Sequence, residues 1–301
     1  MATQGIDAAC RSEQSDPSCP FRCFSAATKP SYLHSEPWTD DQRENIDHMI
    51  DAAVNGLETL TSYPLEMELR LDTHCDLDCE VCSQRPFRGS RFELRIEDFE
   101  DELRDFIHHG LRLTLTGGEP TVSPRYEHLM RIVRQAAGAR VFLITNGLHL
   151  MERVHPHADL IDVAAVSLDA ATAETYRRVR GGDWGSLMDQ IVRFRDDARS
   201  AHVTLTASFV ISDVNLEEMP AMVELVGALG VKHMSFNEVH SIEHWMDPER
   251  AAVWTRHRDD PGRLEQMRQS FDQAMYEAGG LGLDISYSLP SLGRLGRSQP
   301  R

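Results

Sequence analysis

Hydrophobic and polar residues alternate along the chain with two periods, one typical of strands and one typical of helices. Short apolar runs next to Gly, Asn or Asp predict six strands, at 65–72, 111–116, 141–145, 162–168, 203–211 and 232–237. Apolar residues at helical spacing predict helices at 96–109, 125–137, 148–154, 172–197, 216–229 and 262–278. A short apolar stretch at 281–287 favours one further strand.

This alternation predicts an α/β fold with a parallel sheet and right-handed crossovers. Six strand–helix units are too few for a complete eight-fold barrel. Both an open doubly wound sheet and a partial barrel fit the pattern, and periodicity does not choose between them. In either fold, functional side chains are expected at the carboxyl ends of the strands.

Residues at helix ends support these boundaries. Thr39 and Gln42 have capping-box spacing and predict a helix before the first strand. Gly110 is predicted to end the helix at 96–109, and Asn215 to cap the helix that begins at 216. The apolar face of the first helix is predicted from residues at helical spacing: Ile46, Met49, Ile50, Ala53, Val54 and Leu57.

The composition excludes several classes of protein. The chain has 301 residues, enough for one large α/β domain and a short extension. Its formal net charge of −17 disfavours a nucleic-acid or anionic-membrane partner. No run of about 18 apolar residues predicts a membrane span. The N-terminus lacks the pattern of a secretory signal, so the cytoplasm is the predicted location.

One loop concentrates the candidate chemistry. Cys75, Cys79 and Cys82 have the spacing C-x3-C-x2-C and directly follow the first predicted strand. Three thiolates on a short loop suit an iron–sulfur cluster and leave one iron of a four-iron cubane open for another ligand. Structural zinc needs a fourth ligand, for which His74 adjoins Cys75 too closely. A redox dithiol leaves the third cysteine unexplained.

Further motifs give the sequence a resemblance to the radical S-adenosylmethionine superfamily, over residues 65 to about 240. The cysteine spacing resembles that family's signature. Four further segments match family motifs in the expected order: Thr116-Gly117-Gly118-Glu119-Pro120, Thr145-Asn146-Gly147, Ser167-Leu168-Asp169, and Tyr176 through Arg180-Gly181-Gly182.

The resemblance implies a partial (β/α)6 TIM-like barrel of parallel strands with an N-terminal helical extension. The implied organisation is an N-terminal arm and helix at 1–64, a core barrel at 65–290 and a tail at 291–301. The implied cofactors are a [4Fe–4S] cluster held by Cys75, Cys79 and Cys82, and S-adenosylmethionine bound at its open iron.

The resemblance also implies roles for single residues around S-adenosylmethionine. Gly117, Gly118 and Pro120 belong to the segment that lets the backbone approach it. Glu119 would contact the methionine amino group, and Arg180 would pair with the methionine carboxylate. The ribose hydroxyls would bond to Ser167 and Asp169. Val81 is smaller than the residue that the family often places before the last cysteine to support adenine.

By this resemblance, reductive cleavage of S-adenosylmethionine yields a deoxyadenosyl radical that abstracts hydrogen from a substrate. The predicted substrate is a small metabolite, a sugar or amino-acid derivative in a biosynthetic pathway. Alternatives are a maturase or epimerase of a ribosomal peptide and, in another class, a non-catalytic iron–sulfur or zinc module. A flavodoxin or ferredoxin is the expected electron donor.

The sequence resembles the branch that carries a C-terminal cysteine-rich extension, called SPASM, yet no cysteine follows Cys82. This shifts the expectation towards redox-neutral outcomes. The N-terminal cysteines would hold a second cluster, donate a hydrogen atom or have no role: Cys10, Cys19 and Cys23. Candidate substrate-lining residues follow the cysteine loop and the sixth strand: Arg85, Arg88, Glu238, His240, His244 and Trp245.

Overall fold

A computed structural model describes residues 38–88, 94–239 and 242–292. Seven strands form one sheet in sequence order. They are β1 (Glu66–Arg70), β2 (Arg112–Thr116), β3 (Arg140–Thr145), β4 (Ile161–Ser167), β5 (Thr204–Ile211), β6 (His233–Glu238) and β7 (Asp284–Ser288). The six predicted strands are confirmed, and the further strand begins at 284 instead of 281.

The strands from β3 to β7 pair in parallel, each with the next in sequence. Their register aligns the strand ends, since Thr145 pairs with Val166 and Ser167 pairs with Ser208. The linear order leaves β1 and β7 as edge strands within the described residues. The architecture is the predicted α/β partial barrel, and it brings the segments that follow consecutive strands to one edge of the sheet.

Eight α-helices are described. They are α1 (Asp40–Asn55), α2 (Glu100–His109), α3 (Tyr126–Ala136), α4 (Ala173–Arg180), α5 (Trp184–Asp196), α6 (Met219–Ala228), α7 (Pro248–Thr255) and α8 (Pro261–Leu281). The pattern at 148–154 forms a π-helical turn at Leu150–Val154 instead of an α-helix. The helix α7 was not predicted. No helix in the described part of the chain combines the length and the hydropathy needed to cross a bilayer.

The single helix predicted at 172–197 is wrong, because the chain breaks into α4 and α5. Gly181 ends α4 in the left-handed conformation, at φ +75°. Asp183 then caps α5, with its carboxylate accepting from the Ser186 N–H at 2.7 Å. A Cβ on Gly182 would lie 2.9 Å from Leu77 and 3.0 Å from Tyr176, so a larger residue there would displace its neighbours.

The chain divides into two compact units. Of the described residues, the first contains 38–67, Phe99–Leu113 and Ile132–Ala139. In it, the predicted capping box of α1 is present. The buried side chain of Gln42 donates to the Gly110 carbonyl at 2.7 Å, beyond the end of α2.

The apolar face predicted for α1 is correct only in part. Ile46 is buried and packs with Leu111. Val54 and Leu57 are each 51% exposed, contrary to the prediction. The buried amide of Asn45, which bonds to the backbone of Tyr63, contributes to the packing of α1 instead.

Of the described residues, the second unit contains 68–88, 94–98, Thr114–Arg131, 140–239 and 242–292. Its core includes the buried rings of Phe209, Phe236 and Phe271, and the exposed ring of Tyr287 continues this series at the surface. Each ring contacts the next edge to face, with ring centroids 5.0–6.0 Å apart. These rings link β5, β6, α8 and β7. Aromatic contacts of this geometry add to the stabilisation from burial alone.

A buried charge network lies at the carboxyl end of β6. His257 is fully buried, with Nδ1 3.0 Å from Asp213 and Nε2 3.2 Å from Glu238. Glu238 also accepts from the Ser291 N–H at 2.9 Å. Burial opposes charge on all three groups, but their mutual contacts raise the pKa of His257, lower that of Asp213 and lower that of Glu238 to about 2. Glu238, a candidate substrate-lining residue, is therefore engaged inside the fold.

Candidate active site

A cavity of about 310 Å³ in the second unit gathers most of the predicted site residues. Its walls come from the ends of several strands, as shown by Arg70, Thr116, Thr145 and Ser167. The predicted residues that line it are Cys75, Cys79, Cys82, Gly117, Gly118, Glu119, Ser167, Asp169 and Arg180. Pro120 is buried directly beyond Glu119, in the turn Pro120–Val122. Five segments far apart in sequence thus meet at one site.

The three cysteines of the loop line this cavity. Cys79 is buried, and Cys75 and Cys82 are partly exposed. Burial raises the pKa of Cys75 to about 11 and also raises the pKa of Cys79. Such thiols ionise with difficulty unless a positive group binds them, so bound iron would replace the lost hydration of the thiolates.

The geometry gives no support to a zinc site on this loop. No three His, Cys, Asp or Glu side chains are grouped to hold a metal ion within residues 38–88, 94–239 and 242–292. His74 turns towards Asp72, with Nδ1 3.3 Å from Oδ1, and its side chain is 60% exposed. A cluster needs its thiolates on separate irons, further apart than the ligands of one ion.

The two glycines of the β2 loop are required by the approach of the cysteine loop. Gly118 donates its N–H to the Asp72 carbonyl at 3.2 Å, and Glu119 donates its N–H to the His74 carbonyl at 2.6 Å. A Cβ on Gly118 would lie 1.9 Å from the His74 carbonyl oxygen. Gly117 has φ +130°, where side chains are strained. The backbone of this segment therefore lies against the loop that carries the cysteines.

The carboxylate of Glu119 is held within the fold. It is 2% exposed and accepts four hydrogen bonds, from the Thr121 N–H and hydroxyl, the Thr145 hydroxyl and the Asn146 N–H. Burial raises its pKa, against the effect of these donors. Its predicted contact with a methionine amino group stays a prediction, and the structure adds a second role, because Glu119 joins the loops after β2 and β3.

The Thr145-Asn146-Gly147 segment also reaches the cysteine loop. Asn146 is 2% exposed and donates from Nδ2 to Asp76 at 2.6 Å. His149 Nε2 lies 2.8 Å from the other oxygen of Asp76. Asp76 directly follows Cys75. Sequence reasoning recognised the Asn146 motif but missed Asp76, since nothing local pairs residues 70 positions apart.

Asp169 and Arg180, both predicted to bind S-adenosylmethionine, contact each other. Arg180 Nη1 donates to Asp169 at 2.7 Å, and the other oxygen of Asp169 accepts from the Val210 N–H at 2.7 Å. Asp169 has a left-handed backbone, at φ +57°. Arg180 Nε is buried and has no hydrogen-bond partner among the described residues. Although burial opposes its charge, Cys79 and Asp169 raise the pKa of Arg180.

Asn215 supports this arrangement, and the prediction that it caps a helix is wrong. Its side chain makes no capping bond to the turn at Leu216–Glu218. It is 1% exposed and donates to the carbonyls of Asp169 at 2.8 Å and Val210 at 2.9 Å. These two bonds hold the strained backbone of Asp169 against the end of β5.

The other candidate residues divide between different places. Arg88 lines the cavity together with the cysteines. Arg85 and Trp245 line a separate cleft of about 320 Å³, and His244 is exposed in a 3₁₀ turn. Val81 lines the cavity and packs against the neighbouring core. The remaining candidates lie outside the described residues: His240, Cys10, Cys19 and Cys23.

Comparison with known proteins identifies the family. The profile of the "Radical SAM superfamily" matches residues 72–226, just over half of the chain. A curated relative is a "Probable GTP 3',8-cyclase" of Saccharolobus islandicus, 30% identical over 184 residues that cover 60% of this chain and 57% of the relative. A protein of the same name from Thermoplasma volcanium is 26% identical over 165 residues, with 54% of this chain and 50% of the relative covered.

Solved structures agree in fold. Streptococcus suis SuiB bound to precursor peptide SuiA matches with a TM-score of 0.60 and 15% identity, over 84% of this chain and 55% of that one. A structure of anSMEcpe with bound AdoMet and Kp18Cys peptide matches with a TM-score of 0.56 and 17% identity, over 74% of this chain and 63% of that one. The region that matches the two curated relatives spans 57% and 50% of their own lengths.

The chain belongs to the radical SAM superfamily. It is therefore an enzyme of a family whose cofactors are a [4Fe–4S] cluster and S-adenosylmethionine. The sequence-based expectations of fold, enzyme class and cofactors are confirmed.

Proposed function

We propose that this radical SAM enzyme holds its cluster on Cys75, Cys79 and Cys82, and uses S-adenosylmethionine to abstract hydrogen from a small anionic metabolite. The observation that carries the proposal is the shared cavity. The three cysteines line it together with Gly117, Gly118 and other predicted cofactor contacts. When bound, the cluster supplies the electron that cleaves S-adenosylmethionine into methionine and a deoxyadenosyl radical.

The residues of the cavity fit these cofactors. Three cysteines leave one iron of a cubane without a protein ligand, which suits a chelating amino acid. Arg180 Nε is a buried donor without a hydrogen-bond partner among the described residues, as a site for the methionine carboxylate requires. Ser167 and Asp169 face the same cavity and would bond to the ribose hydroxyls. Glu119 would contact the methionine amino group.

The anionic character of the substrate is supported by Arg88. Its Nη1 pairs with Asp78, but its Nη2 is buried and has no hydrogen-bond partner in the described part of the chain. Arg88 lines the cavity, where a carboxylate or phosphate would satisfy this donor. The curated relatives are named for GTP, a nucleoside triphosphate and therefore an anion, which agrees with an anionic substrate.

A ribosomal peptide is the second candidate substrate. SuiB, which shares the fold, has a structure with bound precursor peptide SuiA. At 15% identity this likeness carries the fold alone.

A flavodoxin or ferredoxin is proposed as the electron donor, and a cytoplasmic location stays a prediction.

The test is reductive cleavage of S-adenosylmethionine by the full chain after anaerobic reconstitution with iron and sulfide. We expect about four irons per chain and release of deoxyadenosine after reduction with dithionite. Cys79→Ala should lose both. Wild-type protein that binds no cluster, or a Cys79→Ala variant that still releases deoxyadenosine, would refute the proposal and favour a non-catalytic module.

The substrate class is tested by adding nucleoside triphosphates, sugar phosphates or peptides to the reduced enzyme. A substrate should accelerate deoxyadenosine release in wild type, and Arg88→Met should weaken the response by about tenfold or more, since a charged hydrogen bond is lost. A response to peptides alone, unchanged in Arg88→Met, would replace the small metabolite with the second candidate.

A further inference from the structure

Three carboxylates, those of Asp76, Asp78 and Glu80, occupy every second position of the cysteine loop. Each contacts a different part of the second unit. Asp76 bonds to Asn146 and His149 beyond β3. Two further pairs hold the rest of the loop, Asp78 with Arg85 and Arg88, and Glu80 with Arg250 of α7.

These three contacts differ in strength because their side chains are buried to different extents. The side chain of Asp78 is 67% exposed, and the Glu80–Arg250 pair is 35% and 56% exposed. Ion pairs as exposed as these contribute little. Asp76 is 31% exposed, but its donor Asn146 is 2% exposed and would lose its partner inside the fold. The contact of Asp76 is therefore the strongest of the three.

Asn146 is fixed from both sides, which makes it a rigid anchor for the loop. Its backbone N–H donates to Glu119 at 2.6 Å, and its Oδ1 accepts from the Leu148 N–H at 2.9 Å. Only Nδ2 is left to reach the cysteine loop, and it points at Asp76. Since a carboxylate only accepts, His149 donates its Nε2 hydrogen to the second oxygen of Asp76.

We propose that Asp76, held by Asn146 and His149, is a positioning residue that fixes Cys75 for cluster binding. This inference rests on the proposed function, because it assumes that Cys75 is an iron ligand. Groups that orient metal ligands from behind typically affect metal affinity by about ten- to hundredfold. Asp76 acts through its neighbour in sequence, since Cys75 lines the cavity and Asp76 is not among the lining residues.

The test compares iron release to a chelator from reconstituted full-length variants. Asn146→Asp keeps the shape of the side chain and its bond from Leu148, but it places two carboxylates together, so we expect iron loss about ten- to hundredfold faster than in wild type. The reciprocal double variant Asp76→Asn/Asn146→Asp restores one amide and one carboxylate. We expect it to recover most of the wild-type retention, which a general loss of stability would not allow.

A matched pair guards against misfolding of the Asn146 variant. Asp76→Ala and Asp78→Ala each remove one carboxylate next to a cysteine, and both should raise the reduction potential of the cluster, measured by EPR-monitored titration. Only Asp76→Ala should also release iron faster. Equal iron release from the two variants, or no recovery in the double variant, overturns this proposal alone. Wild-type protein without a cluster overturns the proposed function and this proposal with it.

Discussion

Replacement of His257 tests the buried network at the end of β6. His257→Phe retains a ring of similar width but removes both donors from between two carboxylates. The side chains of Asp213 and Glu238 are only 6% and 2% exposed. Removing one partner of a buried ion pair typically costs about 3–5 kcal/mol. Asp213 keeps Arg263, and Glu238 keeps Ser291, so we expect about 3 kcal/mol.

This cost translates into a measurable thermal shift. A chain of 301 residues has an unfolding entropy of about 0.6 kcal/mol per kelvin near its midpoint. A loss of about 3 kcal/mol then lowers Tm by about 5 °C. Circular dichroism of wild type and His257→Phe, both without cluster and under anaerobic conditions, would measure it. A Tm difference below about 1 °C would refute the reasoning.

The pH dependence of this difference gives a second check. His257 has a raised pKa in the fold, so its charged form stabilises below the unfolded pKa of about 6.5, and this contribution is lost as pH rises through the folded pKa. Glu238 has a folded pKa of about 2, so its contribution is lost as pH falls from about 4.5 to about 2. The Tm difference should be largest between about pH 5 and 6.5 and should narrow on both sides.

Three further substitutions test the cavity. Gly118→Ala would push a methyl group into the His74 carbonyl, 1.9 Å away, and we expect loss of most of the reconstituted iron; wild-type iron content would contradict this. Asn215→Ala removes two buried hydrogen bonds, and Tm should fall by about 2–5 °C in circular dichroism, whereas an unchanged Tm would speak against the support of Asp169. Arg180→Lys keeps the charge but loses Nε, so half-saturation of deoxyadenosine release should need about tenfold more S-adenosylmethionine, and equal half-saturation would argue against that contact.

The parts of the fold that could be predicted from the sequence are those determined by residues close together in the chain. The strands follow from local periodicity, and the cavity follows from short motifs at strand ends, because parallel strands bring their carboxyl ends to one edge. Cys75, Gly118 and Arg180 therefore line the same cavity. The family resemblance chose the partial barrel where periodicity alone left two architectures open.

The parts that sequence missed depend on partners distant in the chain. Asn215 is a residue type that often caps helices, yet its side-chain amide donates to the carbonyl of Asp169, 46 positions away. Apolar spacing ran through Gly181 without revealing the break between α4 and α5. Val54 and Leu57 fit the helical pattern of α1 but are exposed. The helical spacing of apolar residues predicts which residues share a face of the helix, but it does not predict whether other elements cover that face.

The bond between Asp76 and Asn146 also limits how this protein can evolve. A carboxylate and an amide can exchange places across it, but a change on one side alone leaves either two like charges or an unfilled donor next to the cysteine loop. Substitutions at these two positions should therefore arise together in related sequences, as pairs that keep one donor opposite one acceptor. Asp78, whose side chain is largely in water, should vary independently of its partners.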